Sequence, residues 1–502
     1  MHRGHHGRAW RALLALLTCW ALCALCLSVP ARAAGAQAGG GRGEADVAKF
    51  LRSFSVFRVG ADAPCVLVVG GIQGDEPGGF SAATLLATRY RVRKGTLYVV
   101  PNLNFPSIIC RSRGLYGDMN RKFLRLDASD PEFDVVTRIQ ELIRKPEVAL
   151  VLNLHDGSGY YHPEYVDKLR NPRRWGQSVI IDQARLQAQP EAMTGASPKT
   201  DATGGAGGMV PLRELERLAT HVVTVVNAMA LKPEHALHVH NTRTAEGDVE
   251  MEKSLSWYAV RHGKAAFGLE ASKEFNVETR AFYHLAMVEA FFAQAGIEVE
   301  RDFALTPQGV RTALQSHLTM AFADNRVMLP LENVRPNLNL WPMPRNSYRG
   351  IPSMPIMAVV PDRGTLNVHY GNRTVTRLVP DWRDMDDSLD GLLVTVDAHK
   401  QRVSFGQIVN VRDHFLVHGI EGYRVNAIGA VRDTADESNT TLRREDFMSD
   451  YSVDKHCTIY RVEVYKGKNF SGMFLVRFGA AATRSDRRSL PAVPRRESSL
   501  GY

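Results

Sequence analysis

The stretch VLVVGGIQGDEPGGF, residues 66–80, places Gln73 and Glu76 three positions apart, just past a continuous apolar run. Two side chains on such a turn can reach one point. His155 stands at the end of a second apolar run, VALVLNLHDG, and Glu270 near the end of a third, AAFGLEAS. Two donors from one turn, a lone imidazole from another strand and a free carboxylate are the parts of an open catalytic zinc site. Each part alone has a plainer reading. Gly70, Gly71 and Gly74 could form only a tight turn, with Glu76 favoured by the dipole of a helix start. His155 could be a hydrogen-bonded strand end, and Glu270 a salt-bridged acid. Their joint placement at successive strand ends favours the metal site. A further stretch, RSRGLYGDMNRKF, carries Arg113, Asn120 and Arg121 on the loop after the intervening strand.

The elements that must position these residues alternate. CVLVVGG, TLYVVPNLN, VALVLNLHDG, SVIID and AAFGLEAS read as strands; FSAATLLATRY, EFDVVTRIQELIRK, LRELERLATHVVTVVNAMAL and VETRAFYHLAMVEAFFAQAG read as helices. This order predicts an α/β domain over residues 45–300, a mostly parallel mixed sheet flanked by helices. Such sheets hold their chemistry beyond the carboxyl ends of strands. After residue 300 the texture becomes short alternating stretches with polar turns, which predicts two small all-β domains. We expect a barrel-like one over 301–387 and a sandwich-like one over 388–480, divided near PDWRDMDDSLDG. The Gly-, Ala- and Thr-rich segment 187–209 is expected to be a surface loop, and 481–502 a disordered tail.

The first 33 residues have a basic start, an apolar run from Ala12 to Val29 and an Ala-Arg-Ala exit. This is the pattern of a cleaved secretory signal peptide, so no stable membrane anchor is expected after cleavage. The formal charge of +9 overstates the folded body. The leader removes four arginines and no acid, and residues 484–502 hold five arginines against two acids. A nearly neutral body argues against a nucleic-acid partner. Outside the leader only Cys65, Cys110 and Cys457 remain, too few for a disulfide framework.

In order and placement these motifs resemble the zinc metallocarboxypeptidases and their aspartoacylase-type relatives, whose pattern is His-x-x-Glu, an Arg, an Asn-Arg pair, a later His and a Glu. With Gln in the first position and β domains appended, the chain is most similar to the peptidoglycan carboxypeptidases that set helical cell shape in Gram-negative bacteria. The resemblance implies a carboxypeptidase-like fold, with Gln73, Glu76 and His155 as Zn²⁺ ligands. It implies that Glu270 takes a proton from the attacking water and passes it to the departing amine. Arg113, rather than Arg111, is implied to stabilise the oxyanion, and Asn120 with Arg121 to grip the terminal α-carboxylate. A Gln ligand offers a neutral oxygen, so weaker zinc binding is expected, without the outer partner that feeds electron density through a ligating His. Asn153 stands where such families often carry Asp, and can orient the imidazole without charge.

The same resemblance implies a periplasmic DL-carboxypeptidase that removes meso-diaminopimelate from muramyl tripeptide stem peptides of peptidoglycan and affects cell shape. Two other readings stay open: a deacylase of N-acyl amino acids, and a metal-free peptidoglycan-binding protein in which Gln73 records the loss of zinc. Lys273 and Trp175 could line the substrate pocket, although surface or packing roles fit equally. Tyr258 is a weak counterpart for a substrate-side tyrosine. The stretch HALHVH offers His235, His238 and His240 as a rival metal cluster, but no carboxylate is spaced to complete it, and structural or substrate-edge roles suit it better.

Overall fold

A computed structural model describes residues 51, 53–187, 209–345 and 347–479. The expected leader, nearly all of the Gly-rich loop and the basic tail lie outside the described residues. Among the described residues, no helix is long and apolar enough to cross a membrane.

The first part of the chain runs β1 (Phe57–Gly60), β2 (Cys65–Val69), α1 (Pro77–Arg89), β3 (Thr96–Val100), α2 (Phe105–Cys110), α3 (Phe133–Arg144), β4 (Val148–Gly157), β5 (Ser178–Ile181), α4 (Leu215–Asn227), β6 (His238–Asn241), α5 (Leu255–Arg261), β7 (Ala265–Ser272) and α6 (Val277–Ala295). These seven strands form one sheet in the order β1-β3-β2-β4-β7-β5-β6, and the short strands Tyr90–Lys94, Tyr160–Tyr161 and Arg170–Asn171 pair outside it. The pairs β2/β3, β2/β4, β4/β7 and β5/β6 are parallel, while β1/β3 and β7/β5 are antiparallel. The sheet is therefore mixed and mostly parallel, as the alternation of elements implied. The central strands β2 and β7 are buried at every position. Burial on both faces is why they read as unbroken apolar runs rather than alternating ones.

Local signals set the helix ends. Pro77 opens α1, where its missing N–H costs nothing. Ser254 caps α5 by accepting from Trp257 N, and Asn276 caps α6 by accepting from Thr279 N. Gly296, with φ of 72°, closes α6 in the left-handed region.

Beyond α6 the chain is mainly β. Strands between Thr319 and Arg383 form a three-stranded and a four-stranded sheet, and those between Gly391 and Phe478 form two four-stranded sheets. The hairpin Ile459–Lys466 with Asn469–Phe478 serves two cores at once. Ile459, Tyr465, Phe470, Met473 and Leu475 join the core around Trp341, whereas Tyr460, Val462, Val464, Phe474 and Val476 join the core around Phe415. The Trp341 core also takes in Phe80 from α1 and Phe105, Ile108 and Ile109 from α2. The β region is thus packed directly against the elements that flank the candidate site.

The turn after β2 leaves no room for a side chain at Gly74, where a Cβ would lie 2.0 Å from Ser107 backbone atoms. Gly74 N also donates to Ser112 O at 2.9 Å, tying this turn to the loop that carries Arg113. Gly74→Ala should therefore cost roughly 1–3 kcal/mol of unfolding free energy by denaturant titration. Wild-type stability in that variant would refute this account of the turn.

Candidate active site

The parallel pairing of β4 with β7 sets His155 opposite Glu270 and Asn153 opposite Gly268. Partners in register face the same side of a sheet, and the next residue along faces the other. His155 and Glu270 therefore share one side, while Asp156 points to the opposite one. There Asp156 Oδ2 accepts from Gly78 N at 2.8 Å and Arg280 at 3.1 Å, and Oδ1 lies 3.1 Å from His284 Nε2. Burial alone would raise its pKa, yet His284, Arg280 and the Gly78 amide together hold it below the usual carboxylate range. Asp156 thereby satisfies the first turn of α1. Glu76, at the N-cap position of that helix, makes no capping bond with its own side chain. Its Oε2 turns instead to His155 Nδ1 at 2.9 Å and Asp156 N at 3.2 Å.

Gln73 Oε1 also lies 3.1 Å from His155 Nδ1. Tetrahedral zinc, with bonds of about 2.0–2.1 Å, separates its ligand atoms by roughly 3.3 Å. An amide oxygen, a carboxylate oxygen and an imidazole nitrogen this close fit a divalent metal. Among the described residues no three His, Cys, Asp or Glu side chains group as metal ligands, and at this site the third donor would be the Gln73 amide. Ligation through Nδ1 requires the imidazole proton on Nε2. The Asn153 amide lies 2.8 Å from Nε2, and its Oδ1 has no hydrogen-bond partner among the described residues. Turned over, that amide offers its oxygen to the Nε2 proton and leaves Nδ1 free to bind.

Gln73 does have an outer partner, contrary to expectation. Its Nε2 donates to Asp118 Oδ1 at 2.8 Å, and Arg113 Nε donates to Asp118 Oδ2 at 3.0 Å. Burial pushes the Asp118 carboxyl up, but the Gln73 amide, Arg113 and Arg121 outweigh it and hold the group below its ordinary value. A carboxylate on the amide N–H fixes which end of Gln73 faces the site. It also draws electron density towards Oε1, which makes the oxygen a better donor. Asp118 sits within the GDMN stretch, but an acid beside a lone Gln has no recognisable spacing.

A cavity of about 290 Å³ collects the other expected residues. Arg113, Asn120, Arg121, Trp175, Glu270 and Lys273 all line it, together with Gln73, Glu76 and His155. Arg113 reaches Glu76 Oε1 at 3.3 Å, and Lys273 Nζ lies 3.3 Å from Asp75 Oδ2 and 3.6 Å from Glu76 Oε1. Asn120 is anchored by Leu255 N, which donates to its Oδ1 at 3.0 Å. Glu270 Oε2 is buried with no hydrogen-bond partner among the described residues. Burial raises the Glu270 pKa to about 8, with His155 opposing and Glu76 adding to the shift. For His155, burial acts downward, but the hydrogen bond and charge of Glu76 and the charge of Glu270 carry it above its usual value.

Other residues lie elsewhere. Arg111 donates to the carbonyl of Asn372 in the β region. Tyr258 packs against Phe123 and His262, outside the cavity lining. The HALHVH histidines join aromatic packing: His238 meets His162 edge-on at 4.8 Å, His240 stacks on Tyr161 at 4.0 Å, and His235 lies 4.5 Å from Phe275. Ser256, Ile180 and Met251 line the cavity without having been anticipated, since serine and apolar residues carry no catalytic spacing.

Comparison with known proteins places the chain among similar families and solved structures. Residues 52–196 and 206–315 match the catalytic model of a family described as a carboxypeptidase controlling helical cell shape. Residues 385–479 match the C-terminal domain of metallo-carboxypeptidase. No curated protein matches the chain. Among solved structures, the product-bound and tripeptide-bound forms of the cell shape determinant protein Csd4 from Helicobacter pylori are 39% identical. Each covers 85% of this chain and 100% of its own, with a TM-score of 0.74. The mDAP-bound form of the same protein, described as a D,L-carboxypeptidase, is also 39% identical and covers 83% of this chain and 96% of its own, with a TM-score of 0.73. The chain is a metallocarboxypeptidase, a peptidase, and it belongs to the family of carboxypeptidases controlling helical cell shape.

Proposed function

We propose that the protein is an exported, zinc-dependent DL-carboxypeptidase of the periplasm. It removes the terminal meso-diaminopimelate from muramyl tripeptide stems of peptidoglycan and so affects cell shape. The observation that carries this reading is the convergence of Gln73 Oε1, Glu76 Oε2 and His155 Nδ1 beside the unpartnered carboxylate of Glu270. The tripeptide and mDAP held by the H. pylori relative support the substrate class. The leader pattern supports export to where that polymer lies.

Gln73, Glu76 and His155 would hold Zn²⁺, which when bound supplies a Lewis acid for the scissile carbonyl and for water. The chain's own groups perform the remaining tasks. Arg121 and the Asn120 amide grip the terminal α-carboxylate, and this grip makes the enzyme an exopeptidase. Arg113 steadies negative charge that develops on the carbonyl oxygen. Glu270, with its proton affinity raised by burial, accepts the proton of the attacking water and delivers it to the leaving amine. Trp175 closes one wall, and Lys273 adds positive charge for an anionic peptide.

Incubating the zinc-loaded protein with defined muropeptides should convert muramyl tripeptide to dipeptide, read as the mass loss of one diaminopimelate residue. An unchanged tripeptide would overturn this reading. Glu270→Gln should lower kcat by about 10²–10⁴-fold while tripeptide binding persists, measured by single-turnover kinetics and calorimetry. Asp118→Asn should weaken zinc affinity by about 10–100-fold in competition with a chelating dye. Because metal must displace the His155 proton, whose pKa is raised, affinity should climb as pH rises and level off above that pKa.

A further inference from the structure

Of the residues that line the cavity, Arg113 and Ser158 are exposed, Arg121, Trp175 and Lys273 are half-buried, and the rest are buried. Two loops therefore build much of its mouth. One carries Arg113 and, three residues on, Tyr116, which is 42% exposed. The other leaves the cavity at Ser158 and returns to it at Trp175. Its tip holds Tyr165, Val166 and Leu169 in solvent, at 71%, 47% and 44% exposure.

Single exposed apolar side chains are ordinary on a protein surface. Three within five residues are not, when the loop is tied so that it cannot fold back over them. Tyr160 and Tyr161 pair with Arg170 and Asn171 at the neck of this loop. Beyond them, Val166 N and Asp167 N donate to Arg170 O at 2.9 and 3.0 Å. Asp167 Oδ2 accepts from Arg170 Nε at 2.9 Å and Nη2 at 2.6 Å, and Arg174 Nε donates to Lys168 O at 2.9 Å. At the base, Tyr161 stacks on His240 at 4.0 Å, and His240 lies 4.9 Å from Trp175. A tip fixed in this way presents its apolar groups to a ligand at little entropic cost.

What meets this rim depends on which end of the substrate lies inside. Asn120 and Arg121 hold the terminal carboxylate within the cavity, so the amino end of the peptide points out. Three residues span at most about 10 Å, which brings the group joined to that amino end to the rim. Tyr165, seven residues from Ser158, stands at most about 24 Å from it. In a muramyl peptide the joined group is an N-acetylated sugar, linked by an amide and free of ammonium charge. Its C–H faces and acetamido methyl are apolar, and the negative face of an aromatic ring receives such hydrogens. We propose that Tyr165, with Val166, Leu169 and Tyr116, forms a rim site for the N-acetylated saccharide that carries the stem peptide. This inference rests on the carboxypeptidase reading and makes the sugar part of what the enzyme recognises.

The test compares N-acetylmuramyl tripeptide with the same tripeptide N-acetylated but free of sugar, using the zinc-loaded full chain. The sugar-bearing peptide should be preferred by about tenfold in kcat/KM. Tyr165→Ala and Tyr116→Ala should each shrink that preference by about twofold to tenfold, through KM rather than kcat. A merely structural role for either tyrosine would slow both substrates alike and leave the preference intact. Equal kcat/KM for the two peptides, or a preference that neither variant diminishes, would overturn the proposal. If neither peptide is cleaved, the carboxypeptidase reading fails, and saturation-transfer NMR with N-acetylmuramic acid judges the rim site. A signal that Tyr165→Ala loses supports the site; one that is absent, or that the variant keeps, refutes it. Should one variant fail to fold, the other decides alone.

Discussion

Alternation at the end of one strand organises this protein. His155 and Asp156 are neighbours on β4, so they must project to opposite sides of the sheet. On one side His155 meets Gln73 and Glu76. On the other, Asp156 binds the first turn of α1 through Gly78 and reaches Arg280 and His284 on α6. Because Asp156 satisfies that helix start, the Glu76 carboxylate is released towards the imidazole. Gly78 is required for the same reason, since a Cβ there would come within 2.4 Å of Asp156 Oδ1. A single dipeptide thus couples the packing of two helices to the geometry of the donor set.

The second constraint is charge in a buried place. Glu76 and Glu270 both face one small cavity, and low-dielectric surroundings penalise two carboxylates there. Arg113 and Lys273 approach Glu76, whereas Glu270 keeps an unmatched oxygen. A divalent cation between these groups is the electrostatic complement of the arrangement. As a metal ligand, Gln73 would fit the same logic. A neutral amide would add no charge around the metal, and Asp118 behind it supplies the polarisation from one step away. Because Arg113 also binds Asp118, that arginine and the Gln73 amide are held by one carboxylate.

The β region contributes rigidity to this site. Phe80 and the α2 residues Phe105, Ile108 and Ile109 belong to its core, and the Arg111 side chain ends on the Asn372 carbonyl. The loop that carries Arg113, Asp118, Asn120 and Arg121 starts from α2. Packing α2 against the β core therefore holds the base of that loop. The shared hairpin extends the support, because its two faces belong to different cores. Between them sits Arg461, whose guanidinium lies 5.1 Å from the Trp341 ring, donates to Leu340 O at 2.9 Å and pairs with Glu463 at 3.3 Å. A buried cation with these partners favours one register of the two layers over sliding alternatives.

Much of this was legible in the chain. Unbroken apolar runs marked the buried strands, their alternation with amphipathic stretches gave the mixed parallel sheet, and side-chain type at strand ends pointed to Gln73, Glu76, His155 and Glu270. These features are local, written in periodicity and turn chemistry. The helix LRELERLATHVVTVVNAMAL is shorter than its pattern, ending at Asn227, since the apolar residues that follow do not continue it. What only the folded structure decided depends on approach across long stretches of chain. Asp118 comes 45 residues after Gln73, and Asp156 lies 124 residues before Arg280. No spacing rule links such pairs, because a carboxylate finds its partner through sheet order and strand register. The sequence determined which groups could do chemistry, and the tertiary structure decided which carboxylates hold them in place.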